Sequence, residues 1–319
     1  QINRRLDAVV ELKEDIILRG DITDSLKKVY DIERLAGKIA YGSANARDLI
    51  SLKNSAKQLP EIKEILSKVK SPLLEELHSE LDVLKDIYRL IDKTIAEEPP
   101  ISVKEGGLIK KGYDKEIDQL KSATTDGKKW IVQLEVKERE KTGIKGLKVG
   151  FNKVFGYYIE VSNSFKDQVP DYYVRKQTLT NAERYTTDKL KELEDVIMGA
   201  EDKLFSLEYN IFTAIRDEIF NQINRIQQTA KAVAQIDVFA SLAFVADRNH
   251  YVKPKINEKG VIDIKDGRHP VVEKMMPDNT FIANNTFLDM NNNRLAIITG
   301  PNMAGKSTYM RQTAIIVLM

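Results

Sequence analysis

The stretch of sequence that decides the fold of the C-terminal part is Gly300-Pro301-Asn302-Met303-Ala304-Gly305-Lys306-Ser307. The apolar residues 295–299 before it predict a short strand, and residues 308–319 after it predict a helix. A strand, a loop with the spacing G-x-x-x-x-G-K-S and a helix are, in this order, typical of a phosphate-binding P-loop. Gly300 and Gly305 allow the backbone to turn so that its N–H groups and the helix N-terminus face an anion.

Individual side chains of this loop have predicted roles. Lys306 can reach the outer phosphates of a nucleotide, and the Ser307 hydroxyl can bind Mg²⁺, which prefers oxygen ligands. The predicted nucleotide-binding set comprises Gly300, Pro301, Asn302, Met303, Ala304, Gly305, Lys306, Ser307 and Thr308, and Ser307 is also the predicted metal ligand. The competing interpretation is a chance glycine-rich turn, which the flanking strand and helix patterns disfavour.

The sequence around the loop does not predict a complete catalytic site. Phosphoryl transfer also needs a carboxylate for Mg²⁺ and a group that positions water, and these normally lie downstream of the loop. Only 12 residues follow Ser307, and Gln1 begins within a helical pattern. We therefore assign no catalytic residue, expect a chain truncated at both ends, and do not expect this chain alone to be a competent ATPase.

Composition favours long solvated helices over a compact α/β enzyme, because 42% of the 319 residues are hydrophobic and 31% are charged. We find no leader segment and no apolar run of membrane-spanning length, so we expect a cytoplasmic protein without a membrane partner. The absence of cysteine excludes disulfides, zinc–thiolate sites and thiol nucleophiles.

Positive charge is concentrated in the middle of the chain. The net charge of the whole chain is only +2, but residues 121–190 contain 14 Lys and Arg and 9 Asp and Glu, a net charge of +5. A polyanion other than a nucleotide should therefore bind this middle segment.

The N-terminal and middle segments have different periodicities. Residues 1–98 follow helical spacing, with a predicted break at residues 20–24 and a helix that begins near Asn45 and is bounded by Pro60. Residues 147–161 alternate with a period of two and predict a β-hairpin that reverses near Asn152-Lys153. Residues 172–179 predict a further strand of the same small sheet.

A long helix is predicted after this sheet. Apolar residues recur at three- and four-residue steps over residues 190–226, a length of about 55 Å in one continuous helix. Such a helix would act as a lever that carries the small sheet. A second apolar helix is predicted at residues 232–246, followed by extended segments at residues 261–264, 267–272 and 281–284.

Several motifs, in order along the chain, together resemble the MutS family of DNA mismatch-repair proteins. Towards the C-terminus, GRHPVVE at 267–273, FIAN at 281–284 and GPNMAGKSTYMR at 300–311 resemble its ATPase domain. The segments DIERL at 31–35 and ANARDL at 44–49 resemble its helical core. Three further segments resemble its DNA clamp: KVGFN at 148–152, GYYI at 156–159 and QTLTNAERY at 177–185. The similarity extends along essentially the whole chain.

The resemblance implies a mainly α fold of long lever helices with an inserted small β clamp, followed by the beginning of an α/β P-loop ATPase domain. The implied domains are a helical core with outgoing lever (1–128), a β-rich clamp (129–188), returning lever helices (189–250) and the start of the ATPase domain (251–319). No segment resembles the family's mismatch-reading or connector domains, its acidic strand, its nucleotide signature loop or its C-terminal dimerisation region.

The resemblance also implies the ligands and partners. A family dimer would encircle double-stranded DNA, use ATP and Mg²⁺, act with the downstream repair protein MutL, and work in the cytoplasm at the nucleoid. By resemblance, Phe281 would stack on adenine and the backbone of Ile282 would hydrogen-bond to it. This chain would supply sequence-independent DNA contacts, the levers and the phosphate loop, but no mismatch recognition.

The predicted DNA contacts lie on or beside turns of the basic segment: Lys145, Lys148, Lys153, Arg175 and Lys176. Lysine and arginine in such positions can hold phosphates without reading sequence. The alternative is that they only form a solvated surface. For Tyr157, Tyr158, Tyr172 and Tyr173 we favour packing over base stacking, and for His269 a structural role over catalysis.

Two other classes of protein combine a P-loop with helices. A stand-alone P-loop ATPase or kinase is disfavoured because no acidic strand motif follows Ser307. A coiled-coil protein of the SMC type is disfavoured because there the P-loop precedes the coil, whereas here it follows the long helix.

Overall fold

The computed structural model describes residues 1–103, 105–276 and 281–319. The chain divides into two units, Gln1–Tyr251 and Val252–Met319. The first unit is mainly helical with an inserted antiparallel sheet, and the second combines helices with a strand pair. The predicted fold class is confirmed.

Residues 1–98 form the first part of the helical core of the first unit. Its helices are α1 (Ile2–Glu14), α2 (Ile16–Leu26), α3 (Ile32–Ala40), α4 (Ala46–Leu66), α5 (Pro72–Glu80) and α6 (Lys85–Thr94). Fully buried leucines from several of these helices, including Leu12, Leu35, Leu49 and Leu77, form one hydrophobic cluster. Asp31 and Asn45 cap α3 and α4 by accepting backbone N–H groups with their side chains.

Two predicted helix boundaries in this core are wrong. The break between α1 and α2 lies at Asp15, whose side chain caps α2, and α2 continues through Gly20. Likewise α4 continues through Pro60. The buried neighbours Leu59 and Ile62 are part of the core cluster, and this tertiary packing outweighs the local cost of proline.

Two long helices connect this core to the inserted sheet. They are α7 (Lys115–Thr142), which leaves the core, and α8 (Asp188–Phe220), which returns to it. A turn at Asn221 and Gln222 separates α8 from α9 (Ile223–Arg248), so the predicted continuous helix to residue 226 is wrong at its C-terminal end. We call the antiparallel pair of α7 and α8 the lever.

The inserted sheet has the strand order β1-β2-β4-β3, and every pairing is antiparallel. Its strands are β1 (Lys148–Asn152), β2 (Gly156–Ser162), β3 (Val174–Thr178) and β4 (Ala182–Thr186), with a 3-10 helix at Asn163–Gln168 after β2. The predicted hairpin, its turn and the strand within residues 172–179 are confirmed. Strand β4 was not predicted from the periodicity, although it lies within the predicted clamp at residues 129–188. We call these strands the clamp sheet.

By length and composition α9 could cross a membrane, contrary to the expectation that no apolar run reaches that length. However, Ile226, Ile236 and Phe239 of this helix belong to the same hydrophobic cluster as the core leucines. We interpret α9 as a core helix.

The second unit contains β5 (Ile262–Gly267), α10 (Pro270–Met275), β6 (Asn284–Leu288) and α11 (Lys306–Leu318), and β5 pairs with β6. The strand predicted within residues 261–264 is confirmed. Residues 267–272 are not extended as predicted, because His269 caps α10 at Pro270. The predicted extended segment 281–284 is displaced, since β6 begins only at Asn284.

Residues 295–299 do not form the predicted strand in the part of the chain that the structure describes. Leu295 and Ile297 are more than four-fifths exposed. A strand requires a hydrogen-bonded neighbour. Among the described residues, the sheet of this unit contains β5 and β6 alone, and residues 295–299 pair with neither strand.

Candidate nucleic-acid interface and phosphate-binding loop

The clamp sheet packs one face against the outer end of the lever. Leu134 of α7, Ile159 and Tyr185 of the sheet, and Leu190 and Ile197 of α8 belong to one buried cluster. This cluster is separate from that of the helical core. The sheet is therefore a small body with its own hydrophobic core at the end of two helices.

Glutamates of the lever bind the backbone of this sheet. Glu135 of α7 accepts a hydrogen bond from the N–H of Val149 at 2.7 Å. Glu194 of α8 accepts one from the N–H of Tyr157 at 3.1 Å and lies 3.7 Å from the ammonium of Lys176. These contacts fix the β1–β2 hairpin to both helices.

Two buried tyrosines, Tyr173 and Tyr185, and the exposed Tyr172 donate hydrogen bonds to two further carboxylates. Glu138 accepts hydrogen bonds from the hydroxyls of Tyr172 and Tyr173 at 2.9 and 2.8 Å, and Glu183 accepts one from Tyr185. Burial and the hydrogen bond to Glu183 raise the pKa of Tyr185 to about 12. For the same two reasons, with Glu138 as the acceptor, the pKa of Tyr173 is raised well above its ordinary value.

The opposite face of the sheet carries a polar network around Arg184. Its guanidinium lies 4.0 Å from the ring centre of Tyr158 and donates to Glu160 at 2.9 Å and to Gln177 at 3.0 Å. Lys148 lies opposite Glu160 in the β1–β2 pairing. This face is charged and conformationally fixed.

The structure brings only some of the predicted DNA-binding residues together. Lys145 and Lys148 are both exposed at the entrance to β1, whereas Lys153 is exposed in the turn at the other end of that strand. Arg175 lies on β3, at the opposite edge of the sheet, with its side chain 60% exposed and 3.6 Å from Glu183. The exposed residues therefore lie along the rim of the sheet rather than in one cluster.

Lys176 has a different environment. Its ammonium donates to the carbonyl groups of Phe155 at 3.0 Å and Tyr157 at 3.3 Å, in addition to its ion pair with Glu194. Its side chain is only 24% exposed. The structure thus gives Lys176 an internal contact role, unlike that of the exposed cations at the rim.

The tyrosines considered for base stacking have defined partners. Tyr157 and Tyr173 pack with the buried cluster, and Tyr172 contacts Tyr173 edge-on while Lys141 lies over its ring at 4.1 Å. Tyr158 stacks against Arg184. The prediction of packing is confirmed for Tyr157 and Tyr173.

Three residues of the loop at 300–307 have positive backbone φ angles, and two of them are glycines. Gly300, Met303 and Gly305 have φ values of +151°, +66° and +82°. Lys306 begins α11, and its ammonium folds back over the loop to the carbonyl groups of Gly300 at 2.8 Å and Pro301 at 2.5 Å. Phosphate oxygens bound in the loop would compete for the same ammonium.

The remaining nucleotide-binding predictions lie near this loop in sequence. Ser307 and Thr308 are in the first turn of α11. Phe281 and Ile282 lie in the segment before β6, and Ile282 is 83% exposed. Within the described residues, no group of three or more His, Asp or Glu side chains could hold a metal ion.

Helix α11, which follows the loop at 300–307, is held by contacts with β5 and β6. Thr286 of β6 donates a hydrogen bond to the hydroxyl of Tyr309 at 2.8 Å. Gln312 is fully buried against Gly267 of β5, where a Cβ would lie 2.9 Å from its amide nitrogen. His269 accepts from the N–H groups of Val271 and Val272, which confirms its predicted structural role.

Two family models match the chain. One described as MutS domain III matches residues 1–243, and one described as MutS domain V matches residues 296–319. Curated relatives named DNA mismatch repair protein MutS are 59% identical in Lachnoclostridium phytofermentans, 58% in Acetivibrio thermocellus and 56% in Ruminiclostridium cellulolyticum. Each match covers all of this chain but only 34%, 37% and 36% of the relative, so the chain spans about a third of their length.

Proposed function

The chain belongs to the MutS family, and from this premise we propose that its clamp sheet holds the backbone of double-stranded DNA without reading the base sequence. The observation that carries the proposal is the position of Lys145, Lys148, Lys153 and Arg175 along the rim of a rigid sheet. The lever would hold this sheet at a fixed distance from the helical core.

The disposition of the acidic side chains strengthens this proposal. Glu135, Glu138 and Glu194 face the lever or the interior of the sheet, where backbone N–H groups and tyrosine hydroxyls donate to their oxygens. The exposed rim is thereby left with an excess of cations. Cations that neutralise phosphates release counterions, so binding should weaken steeply with salt.

The test is to replace Lys145, Lys148, Lys153 and Arg175 together by glutamine and to titrate the variant with duplex DNA over a salt series. We expect weaker binding to every sequence and a salt slope reduced by about 3 to 4, roughly one per phosphate contact. The matched control replaces four exposed residues of the helical core, Arg34, Lys57, Lys68 and Lys85, and changes the net charge equally. Equal losses in the two variants would refute the assignment to the clamp sheet.

We further propose that the loop at residues 300–307 binds the phosphates of ATP with Mg²⁺. Lys306 would exchange its carbonyl contacts for phosphate oxygens, and the Ser307 hydroxyl would bind the metal. When Lys306→Ala is titrated with a fluorescent ATP analogue, the affinity should fall at least tenfold, since a charge-assisted contact is lost. Arg311→Ala, an exposed cation on the same helix, is the control. The assignment fails if Lys306→Ala binds as well as the control.

For the longer proteins of the family we propose a homodimer that encircles DNA, responds to ATP, acts with MutL and is located at the nucleoid in the cytoplasm. The match of this chain to part of the curated MutS relatives supports this proposal. Fluorescence imaging of a tagged full-length relative would test the location, because a signal separate from stained DNA would contradict it.

A further inference from the structure

Glu183 is a buried carboxylate on β4, an inner strand of the clamp sheet. The hydroxyl of Tyr185, on the same strand, donates a hydrogen bond to it. This hydrogen bond and two neighbouring cations hold the pKa of Glu183 below its ordinary value. The carboxylate is therefore ionised at neutral pH and has a defined position within the sheet.

Two cations from separate segments lie over this carboxylate. Nζ of Lys166, in the 3-10 helix after β2, and Nη1 of Arg175, on β3, each lie 3.6 Å from Oε1 of Glu183. The side chains of Lys166 and Arg175 are 58% and 60% exposed, whereas that of Glu183 is only 7% exposed. The two cations therefore cover the acid on its solvent side.

Both cations are restrained but keep their donors available. A separation of 3.6 Å is longer than a hydrogen bond, so each contact with Glu183 is an ion pair only. Among the residues that the structure describes, neither the Lys166 nor the Arg175 side chain donates a hydrogen bond to a protein group. Because both nitrogens face one carboxylate oxygen, they are close enough together to face one oxyanion from the solvent side.

We propose that Glu183 is a positioning residue that holds Lys166 and Arg175 side by side to bind one phosphate of the DNA backbone. The inference rests on the proposed function of the clamp sheet and adds Lys166 to its contacts. The phosphate would accept charge-assisted hydrogen bonds from both cations, on the side opposite Glu183. Because the acid already restrains the two long side chains, they lose less conformational freedom when they bind.

Positioning and simple charge have opposite effects on DNA binding when Glu183 is neutralised. Glu183→Gln removes a negative charge, and electrostatic attraction alone would then strengthen binding. If Glu183 positions the cations, the same variant weakens binding, since glutamine can accept from Tyr185 but cannot hold two cations. The matched control is Asp167→Asn, which removes the same charge from an exposed neighbour of Lys166.

The test is a fluorescence-anisotropy titration of both variants with one fully matched duplex at low salt. We expect Glu183→Gln to weaken binding about threefold to tenfold, the effect of releasing two restrained side chains. Asp167→Asn should leave the affinity unchanged or raise it up to about twofold. The inference is overturned if Glu183→Gln strengthens binding as Asp167→Asn does. That result would leave the proposed function intact, which fails only if DNA binding does not depend on the cations of the rim.

A second comparison involves no buried residue, so it applies even if Glu183→Gln does not fold. Lys166→Gln should weaken binding about threefold or more, whereas Lys129→Gln, which removes an exposed cation of the lever, should have no effect. In the Lys166→Gln, Arg175→Gln double variant the salt slope should fall by about 1, because the pair neutralises one phosphate. Adding Glu183→Gln to this double variant should weaken binding no further. Equal effects of Lys166→Gln and Lys129→Gln, or a fall in slope of about 2, would contradict a shared phosphate.

Discussion

Glu208 is a single residue on which the geometry of the lever base depends. Its carboxylate has three backbone N–H donors and Lys121 as partners and no contact with solvent. Gly106, beside this site, has a φ of +73° and leaves no room for a Cβ, which would lie 2.4 Å from the Phe205 ring. The segment before α7 is therefore shaped around this one acid.

Glu208→Gln should lower the free energy of unfolding by about 3 kcal/mol or more, because it leaves Lys121 without its buried partner and turns an amide toward backbone donors. Glu201→Gln, seven residues earlier on α8, is the control. It breaks an ion pair with a largely exposed lysine and should cost less than about 1 kcal/mol. Urea unfolding of both variants measures the difference, and similar costs would show that the Glu208 contacts do not stabilise the lever base.

The role of a single residue could be predicted from the sequence where the residue belongs to a motif. It could not be predicted where the role depends on tertiary contacts. Lys306 could be placed because its spacing from Gly300 is characteristic. Glu208 and Glu138 could not, since a buried glutamate on a long helix has the same sequence context as a solvated one. Lys176 was likewise indistinguishable from the exposed Lys148.

The clamp sheet is the element whose stability should respond most clearly to alkaline pH. The pKa of Tyr185 is raised to about 12 and that of Tyr173 is raised further, each by burial and a glutamate acceptor. In the unfolded chain tyrosine titrates near pH 10. Above that pH the unfolded state binds fewer protons than the folded state, so the contribution of these groups is complete below about pH 10 and is lost as pH rises toward 12.

We therefore expect the free energy of unfolding to fall between pH 10 and 12, with each tyrosine contributing up to about 1.4 kcal/mol per pH unit. In the Tyr173→Phe, Tyr185→Phe double variant the decline should be shallower. Urea unfolding at several pH values measures both slopes. Parallel curves for the two proteins would contradict the assignment, whatever their difference in stability at neutral pH.

Elements with a clear period were predicted, whereas elements that depend on distant partners were not. The β1–β2 hairpin follows from the alternation of residues 147–161, which matches a sheet with one buried face. Strand β4 could not be predicted from an alternation of apolar and polar residues. Its inward face buries Glu183 as well as Tyr185 and is therefore not uniformly apolar. Residues 295–299 have the composition of a strand but pair with none of the described strands. Composition alone does not show whether a partner strand is present.

The first unit combines a helical core, a lever of two antiparallel helices and a small sheet with exposed cations along its rim. The resemblance to the MutS family could be recognised from sequence because its motifs occur in order along the entire chain, and the family models confirm it. The rim arrangement of the cations could not be predicted, because it depends on strand order and on which side chains face the lever.

The most direct test of the DNA-binding proposal is a fluorescence-anisotropy titration of the unmodified chain with a fully matched duplex and with the same duplex carrying one mismatch. Both are measured over a salt series. We predict equal affinities for the two duplexes and a logarithmic salt slope of about −3 to −4, as expected for four phosphate contacts. A clear preference for the mismatched duplex, or binding that does not weaken with salt, would contradict a clamp sheet that holds only the DNA backbone.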